Sequence, residues 1–123
     1  RYSGDDLTIS QWLEPAVEIL RTYRRGTALG ISVGPSGLIS SKAAGIGTSW
    51  MDAKANGWVV TPRQGKPIEL NALWYNALCT VAGWCERLGH PDWTADLAAQ
   101  ARTTKVSFNA QFWNVSAGCC FDL

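Results

Sequence analysis

The stretch from Leu70 to Cys85 limits the fold most strongly, because it carries helical periodicity and no charged residue. Leu70, Leu73, Ala77, Val81, Trp84 and Leu88 recur at three- and four-residue steps, and Trp74, Leu78, Ala82 and Cys85 fill the adjoining stripe. A helix apolar around most of its girth is buried on more than one side. Pro67 before it and Gly89 after it predict a helix from about Pro67 to Leu88. The flanking segments are one-faced. Ile9, Trp12, Leu13, Ala16, Leu20 and Tyr23 oppose Gln11, Glu14, Glu18, Arg21 and Arg25 in a helix ended by Gly26, with Pro15 in its first turn or kinking it. Trp93, Leu97, Ala101, Thr104, Phe108 and Phe112 oppose Gln100, Arg102, Lys105, Asn109 and Gln111, with Asp92 as the expected N-cap. The order exposed, buried, exposed predicts an all-α, layered α/α architecture. A plain four-helix bundle would make every helix one-faced.

With 123 residues, 46% hydrophobic and 17% charged, the chain builds a core of one domain or part of one. A start at Arg1 and a stop after Cys119-Cys120-Phe121 read as cuts at both ends of a longer protein. A formal net charge of +1 leaves no electrostatic footprint for nucleic acid or anionic membrane, and no apolar run is long enough to span a bilayer. The four cysteines form no CxxC pair and His90 is the one histidine, so a metal site is not expected. Cys79 and Cys85 fall in the apolar helical pattern and read as buried thiols, which favours a reducing, cytoplasmic setting. Asn114-Val115-Ser116 meets the glycosylation pattern, as short triplets do by chance.

Gly30–Val33 and Leu38–Ser40 flank a Gly34-Pro35-Ser36-Gly37 turn and predict a short hairpin or loop excursion. From Ser40 to Pro67 no period is sustained, and a connection of this length is usually functional. Within it, Asp52 follows Trp50 and Met51. If those side chains fold over the carboxyl, desolvation raises its pKa and lets it hold a proton as a general acid; otherwise it caps the loop or pairs with Lys54. Arg63 sits in a stiff Thr-Pro-Arg turn, able to fork onto sugar hydroxyls or to form a surface ion pair. Lys66 either contacts substrate or is solvated, and Glu69 assists a site or interacts with its helix N-terminus. Asn71 and Tyr75 share a face at i,i+4, to reach a pocket or to make buried hydrogen bonds. Seven tryptophans against three Tyr and three Phe point to stacking as well as packing. Trp50, Trp58 and Trp74 are the sugar-stacking candidates, and Trp12, Trp84, Trp93 and Trp113 are assigned to the core.

Thr48-Ser49-Trp50-Met51-Asp52-Ala53-Lys54, followed by the run from Val60-Thr61-Pro62-Arg63-Gln64-Gly65-Lys66-Pro67 to Leu78, closely resembles the amylo-α-1,6-glucosidase catalytic domain of glycogen debranching enzymes. Tyr23–Thr27 and Phe108–Asn114 resemble its flanks, so the likeness extends over nearly the whole chain from Ile9. The resemblance implies part of an (α/α)6 barrel and inverting hydrolysis of α-1,6-glucosidic branch points in glycogen or limit dextrin, with no cofactor. It implies Asp52 as general acid and Trp50, Met51, Arg63, Lys66, Glu69, Asn71, Trp74 and Tyr75 around the sugar. Inversion needs a second carboxylate as base; the family's base lies far downstream, beyond Leu123, and Glu69 is not its counterpart. The remainder of the barrel is therefore a required partner. Two other functions compete: a non-catalytic glycan-binding or helical interaction module, and an α/α-barrel hydrolase or phosphorylase of another glycoside.

Overall fold

A computed structural model describes residues 4–42 and 47–123; the start at Arg1 lies outside them. The elements in chain order are α1 (Asp6–Arg25), β1 (Ile31–Val33), β2 (Ile39–Ser41), β3 (Lys54–Ala55), β4 (Trp58–Val59), α2 (Ile68–Arg87), α3 (Pro91–Phe112), β5 (Trp113–Asn114) and β6 (Cys119–Cys120). The strands pair as three separate two-stranded antiparallel ribbons, so the fold is helix-rich with small sheets. Among the described residues no helix is long and apolar enough to cross a membrane.

Local chemistry sets the helix ends. The Asp5 carboxylate accepts from the Thr8 N–H at 3.0 Å and caps α1, and Gly26, at φ 100°, stops it by donating to the Thr22 carbonyl at 2.9 Å. The helix continues through Pro15, on its exposed side. Its buried line is Leu13, Val17 and Leu20 at i, i+4 and i+7. That line turns the neighbouring Trp12 to the flank, where it is 61% exposed instead of in the core. Between α2 and α3 the chain reverses over Leu88–His90. There Gly89 takes φ 76° and His90 N–H reaches back to the Cys85 carbonyl at 2.8 Å. His90 rather than Asp92 occupies the N-cap of α3, because Pro91 takes the first helical position, where a missing N–H costs nothing. Asp92 lies in the first turn, facing the positive end of the helix dipole.

The core gathers Leu13, Val17 and Leu20 of α1, Ile39 of β2, Trp74, Leu78, Val81, Ala82 and Cys85 of α2, and Leu97 and Ala101 of α3. Tyr23 meets the Trp74 ring edge-on at 6.3 Å. Among the described residues α3, α1 and the first hairpin pack on α2, so it is covered on more than one side: Asn71, Trp74 and Leu78 are sealed, while the remaining flank leaves Leu73 64% exposed. Cys79 is exposed as well, since its neighbour Leu78 takes the inward position; Cys85 is the buried thiol, and Cys119 and Cys120 are exposed. Trp113 leaves the end of α3 into the β5–β6 ribbon and is half exposed, again not a core residue.

The predicted hairpin forms, with Ile31 opposite Ser41 and Val33 opposite Ile39. Its turn is wedged against α2 and α3. The Gly37 carbonyl accepts from Trp74 Nε1 at 3.1 Å and from Thr104 Oγ1 at 2.9 Å. A side chain at Gly37 would meet the Thr104 amide nitrogen at 3.1 Å, and the residue adopts φ 73°. Asn71, fully buried, clasps β2 edge-on: its Oδ1 accepts from Ile39 N–H at 2.8 Å, and its Nδ2 donates to the Ile39 carbonyl at 3.1 Å and the Pro67 carbonyl at 2.9 Å.

Two outcomes follow. Asn71→Leu leaves the Ile39 groups unpaired in a dry interior, so urea denaturation should report a loss of about 3 kcal/mol with an unchanged m-value. Burial pushes the Cys85 thiol above its ordinary value. The stability it contributes is complete below about pH 8.5, where folded and unfolded chains both hold the proton, and is lost as pH rises through the raised folded value. Urea titrations from neutral into alkaline pH should therefore show a decline that is smaller in Cys85→Ala.

Candidate active site

The aperiodic stretch between β2 and α2 is organised around Ser41. Its backbone exchanges hydrogen bonds with Gly65 in both directions, at 2.8 and 2.9 Å, and its buried hydroxyl accepts from Thr48 Oγ1 at 2.8 Å. One residue thus joins the first hairpin, the loop that bears Asp52 and the run leading into α2.

The loop 47–52 closes on itself. Gly47 lies against Asp52 so tightly that a Cβ on the glycine would fall 2.4 Å from Asp52 Cβ. Within the loop, Met51 N–H donates to Ser49 Oγ at 3.2 Å. Side chains at the bend radiate outward: Trp50 is 71% exposed, Asp52 is exposed and Met51 is half-buried. The expected desolvation of the Asp52 carboxyl under Trp50 and Met51 is accordingly not found. The bend is too tight for the indole to fold back over its second neighbour, and both stand in solvent.

Beyond the loop, β3 and β4 pair through Asn56-Gly57, whose φ values of 49° and 80° are both positive, as a two-residue primed turn requires. Periodicity does not reveal this hairpin; the Asn-Gly pair ahead of the β-prone Trp58-Val59-Val60 does. It carries Trp58, 64% exposed.

Arg63 is buried, at 6% exposure, and its fork is filled by protein carboxylates. Nε donates to Glu69 Oε1 at 3.1 Å and Nη2 to Glu69 Oε2, while Nη1 donates to Asp122 Oδ2 at 2.6 Å and Nη2 to the Asp122 carbonyl at 3.4 Å. The Asp122 carboxylate first, and Glu69 after it, hold the guanidinium pKa above its ordinary value despite burial. Asp122 also accepts the Ile68 N–H at 3.1 Å with its carbonyl, satisfying the start of α2 where Pro67 offers no side-chain cap. Lys66 Nζ donates to Gln111 at 3.0 Å on the end of α3.

The structure therefore brings Arg63, Glu69 and Asp122 into one cluster and fastens Asn71 and Trp74 to the first hairpin. Tyr75 belongs elsewhere. It lines a groove of about 400 Å³ between α2 and α3 with Cys79, Glu86, Arg102 and Lys105, and its hydrogen bond with the Cys79 thiol pushes the phenol pKa up. Thr48, beneath the Asp52 loop, borders a different, apolar groove with Tyr23, Ile31, Leu70 and Leu73. The residues that sequence reasoning missed are Ser41, Gly47, Thr48 and Asp122. Ser41 and Asp122 act through contacts with distant segments, at Gly65 and Arg63, while Gly47 and Thr48 act through an irregular loop closure that no periodic pattern signals. Among the described residues, no group of three or more His, Cys, Asp or Glu is placed to hold a metal ion.

A family model described as amylo-alpha-1,6-glucosidase matches residues 1–123. Comparison with curated proteins gave no match, and neither did comparison with solved structures.

Removing the buried cation strands Glu69 beside the start of α2. Arg63→Ala should lower the unfolding free energy by about 3 kcal/mol. Asp122→Asn should cost less than about 1 kcal/mol, since that side chain is 73% exposed. Equal losses in chemical denaturation would contradict the burial-based ranking.

Proposed function

The chain belongs to the amylo-alpha-1,6-glucosidase family, and from that premise we propose that it carries the general acid of an inverting α-1,6-glucosidase acting on branched α-glucan. Asp52 is that acid. Its carboxyl proton passes to the glycosidic oxygen as the C1–O bond breaks, while water, deprotonated by a second carboxylate outside this chain, attacks C1 from the opposite face. The observation that carries the reading is the family match over the full chain, together with Trp50-Met51-Asp52 presented outward on a loop pinned at its mouth. In the intact protein the rest of an (α/α)6 barrel covers the exposed flank of α2 at Leu73.

The site residues then divide by what their polar groups already do. Trp50, Met51 and the exposed Trp58 offer open surface for stacking on a sugar ring. Lys66 keeps a partly open side chain and joins the glucan-binding set, whereas Tyr75 lines the separate groove between α2 and α3. Arg63, Glu69, Asn71 and Trp74 act by holding the scaffold, because their hydrogen bonds are made within the protein. No metal or organic cofactor enters the reaction, and the protein works in the cytoplasm, where glucan stores and reduced thiols coexist.

A second reading, a non-catalytic glycan-binding module, is favoured by one observation: Asp52 and the indoles that flank it in the chain, Trp50 and Trp58, are all exposed. One variant separates the two. In the full-length protein, Asp52→Asn should reduce glucose release from a branched dextrin by about 10²–10⁴-fold with an unchanged circular dichroism spectrum. Undiminished dextrin affinity with no hydrolysis by either protein would support the binding module instead.

A further inference from the structure

We infer that Gly47 and Thr48 are positioning residues for the Asp52 carboxyl, acting through the crossing of the loop backbone at its mouth; this rests on Asp52 being the acid. A Cβ on Gly47 would lie 2.4 Å from Asp52 Cβ, 2.6 Å from Asp52 Cα and 3.4 Å from Asp52 C. Carbon atoms in contact sit about 3.5–4.0 Å apart, so a methyl group there forces the two stretches apart by roughly 1 Å. None of the obstructing atoms can swing aside, because two are main chain and the third is fixed to it. The glycine is needed for space, since only a hydrogen fits between its Cα and Asp52.

The displacement falls on the acid side of the crossing. Next to Gly47, Thr48 is tied to Ser41, whose backbone is bonded twice to Gly65 and whose strand is clasped by Asn71. After Asp52, the chain enters the β3–β4 ribbon, whose residues 54–58 are all exposed and whose link to the loop is the Val60 N–H to Ala53 carbonyl bond at 3.0 Å. The anchored side stays and the ribbon side yields. Catalytic groups work within about 0.5 Å of their productive position, so a shift of this size weakens proton delivery, whereas stacking on the broad faces of Trp50 and Trp58 tolerates it.

The test uses the full-length protein and two substrates that differ in their need for the acid. A branched dextrin has an alkoxide leaving group that must be protonated, whereas α-glucosyl fluoride expels fluoride, which needs little help. For Gly47→Ala we expect dextrin kcat to fall about 10- to 100-fold with KM within about twofold, and turnover of the fluoride to change by less than about threefold. Thr48→Val, which frees the anchor without adding bulk, should show the same selectivity with a smaller loss, and it decides the matter if Gly47→Ala does not fold. Asp52→Asn is the reference. If it loses dextrin turnover selectively while the positioning variants behave as wild type, or lose both substrates equally, the positioning role is overturned and the acid assignment stands. If Asp52→Asn keeps its dextrin activity, both are overturned.

Discussion

Everything around the candidate site depends on the carboxamide of Asn71. A buried amide is tolerated in a dry interior only when its donors and acceptor are matched, and here it is matched to both backbone groups of Ile39 and to the Pro67 carbonyl. The clasp fixes β2 against α2 at one register. Ser41, two residues further on, is then held where it can bond Gly65 and receive the Thr48 hydroxyl. Loop position is thereby inherited from a helix through a strand. The Gly37 carbonyl repeats the arrangement at the other end of the hairpin, where Trp74 and Thr104 converge on one oxygen.

The second polar centre shows what an arginine in a stiff turn does when carboxylates reach it first. A buried guanidinium is costly unless nearly all its N–H groups are engaged, and Glu69 supplies two parallel acceptors while Asp122 supplies two more. The result locks Thr61–Gly65 to the first turn of α2. It also means that the charge of the Arg63 guanidinium is met within the protein, by Glu69 and Asp122.

What the sequence revealed followed from period and punctuation. The one-faced stripe of α3, the Gly26 and Gly89 stops and the first hairpin all express local rules, and each appears where expected. Tryptophan was harder to place. An indole is apolar wherever it lies, but one residue of rotation decides between core and flank, as Trp12 and Leu13 show. Cys79 beside Leu78 is the same case. The environment of Asp52 was not legible, because covering a carboxyl is a property of the surrounding assembly and not of its neighbours in sequence. The Asn56-Gly57 turn was legible in principle, but only to a search for turn chemistry.

The Arg63–Asp122 bond joins residues 59 apart, whereas α2 and α3 are neighbours through a three-residue turn. Closing a long loop costs entropy that a short connection avoids. Only a chain whose helical hairpin has already formed holds these two partners close enough to meet at small further cost. The clamp is therefore a late fastening: it records that the earlier elements have assembled, and the segment before α2 acquires its final course together with it.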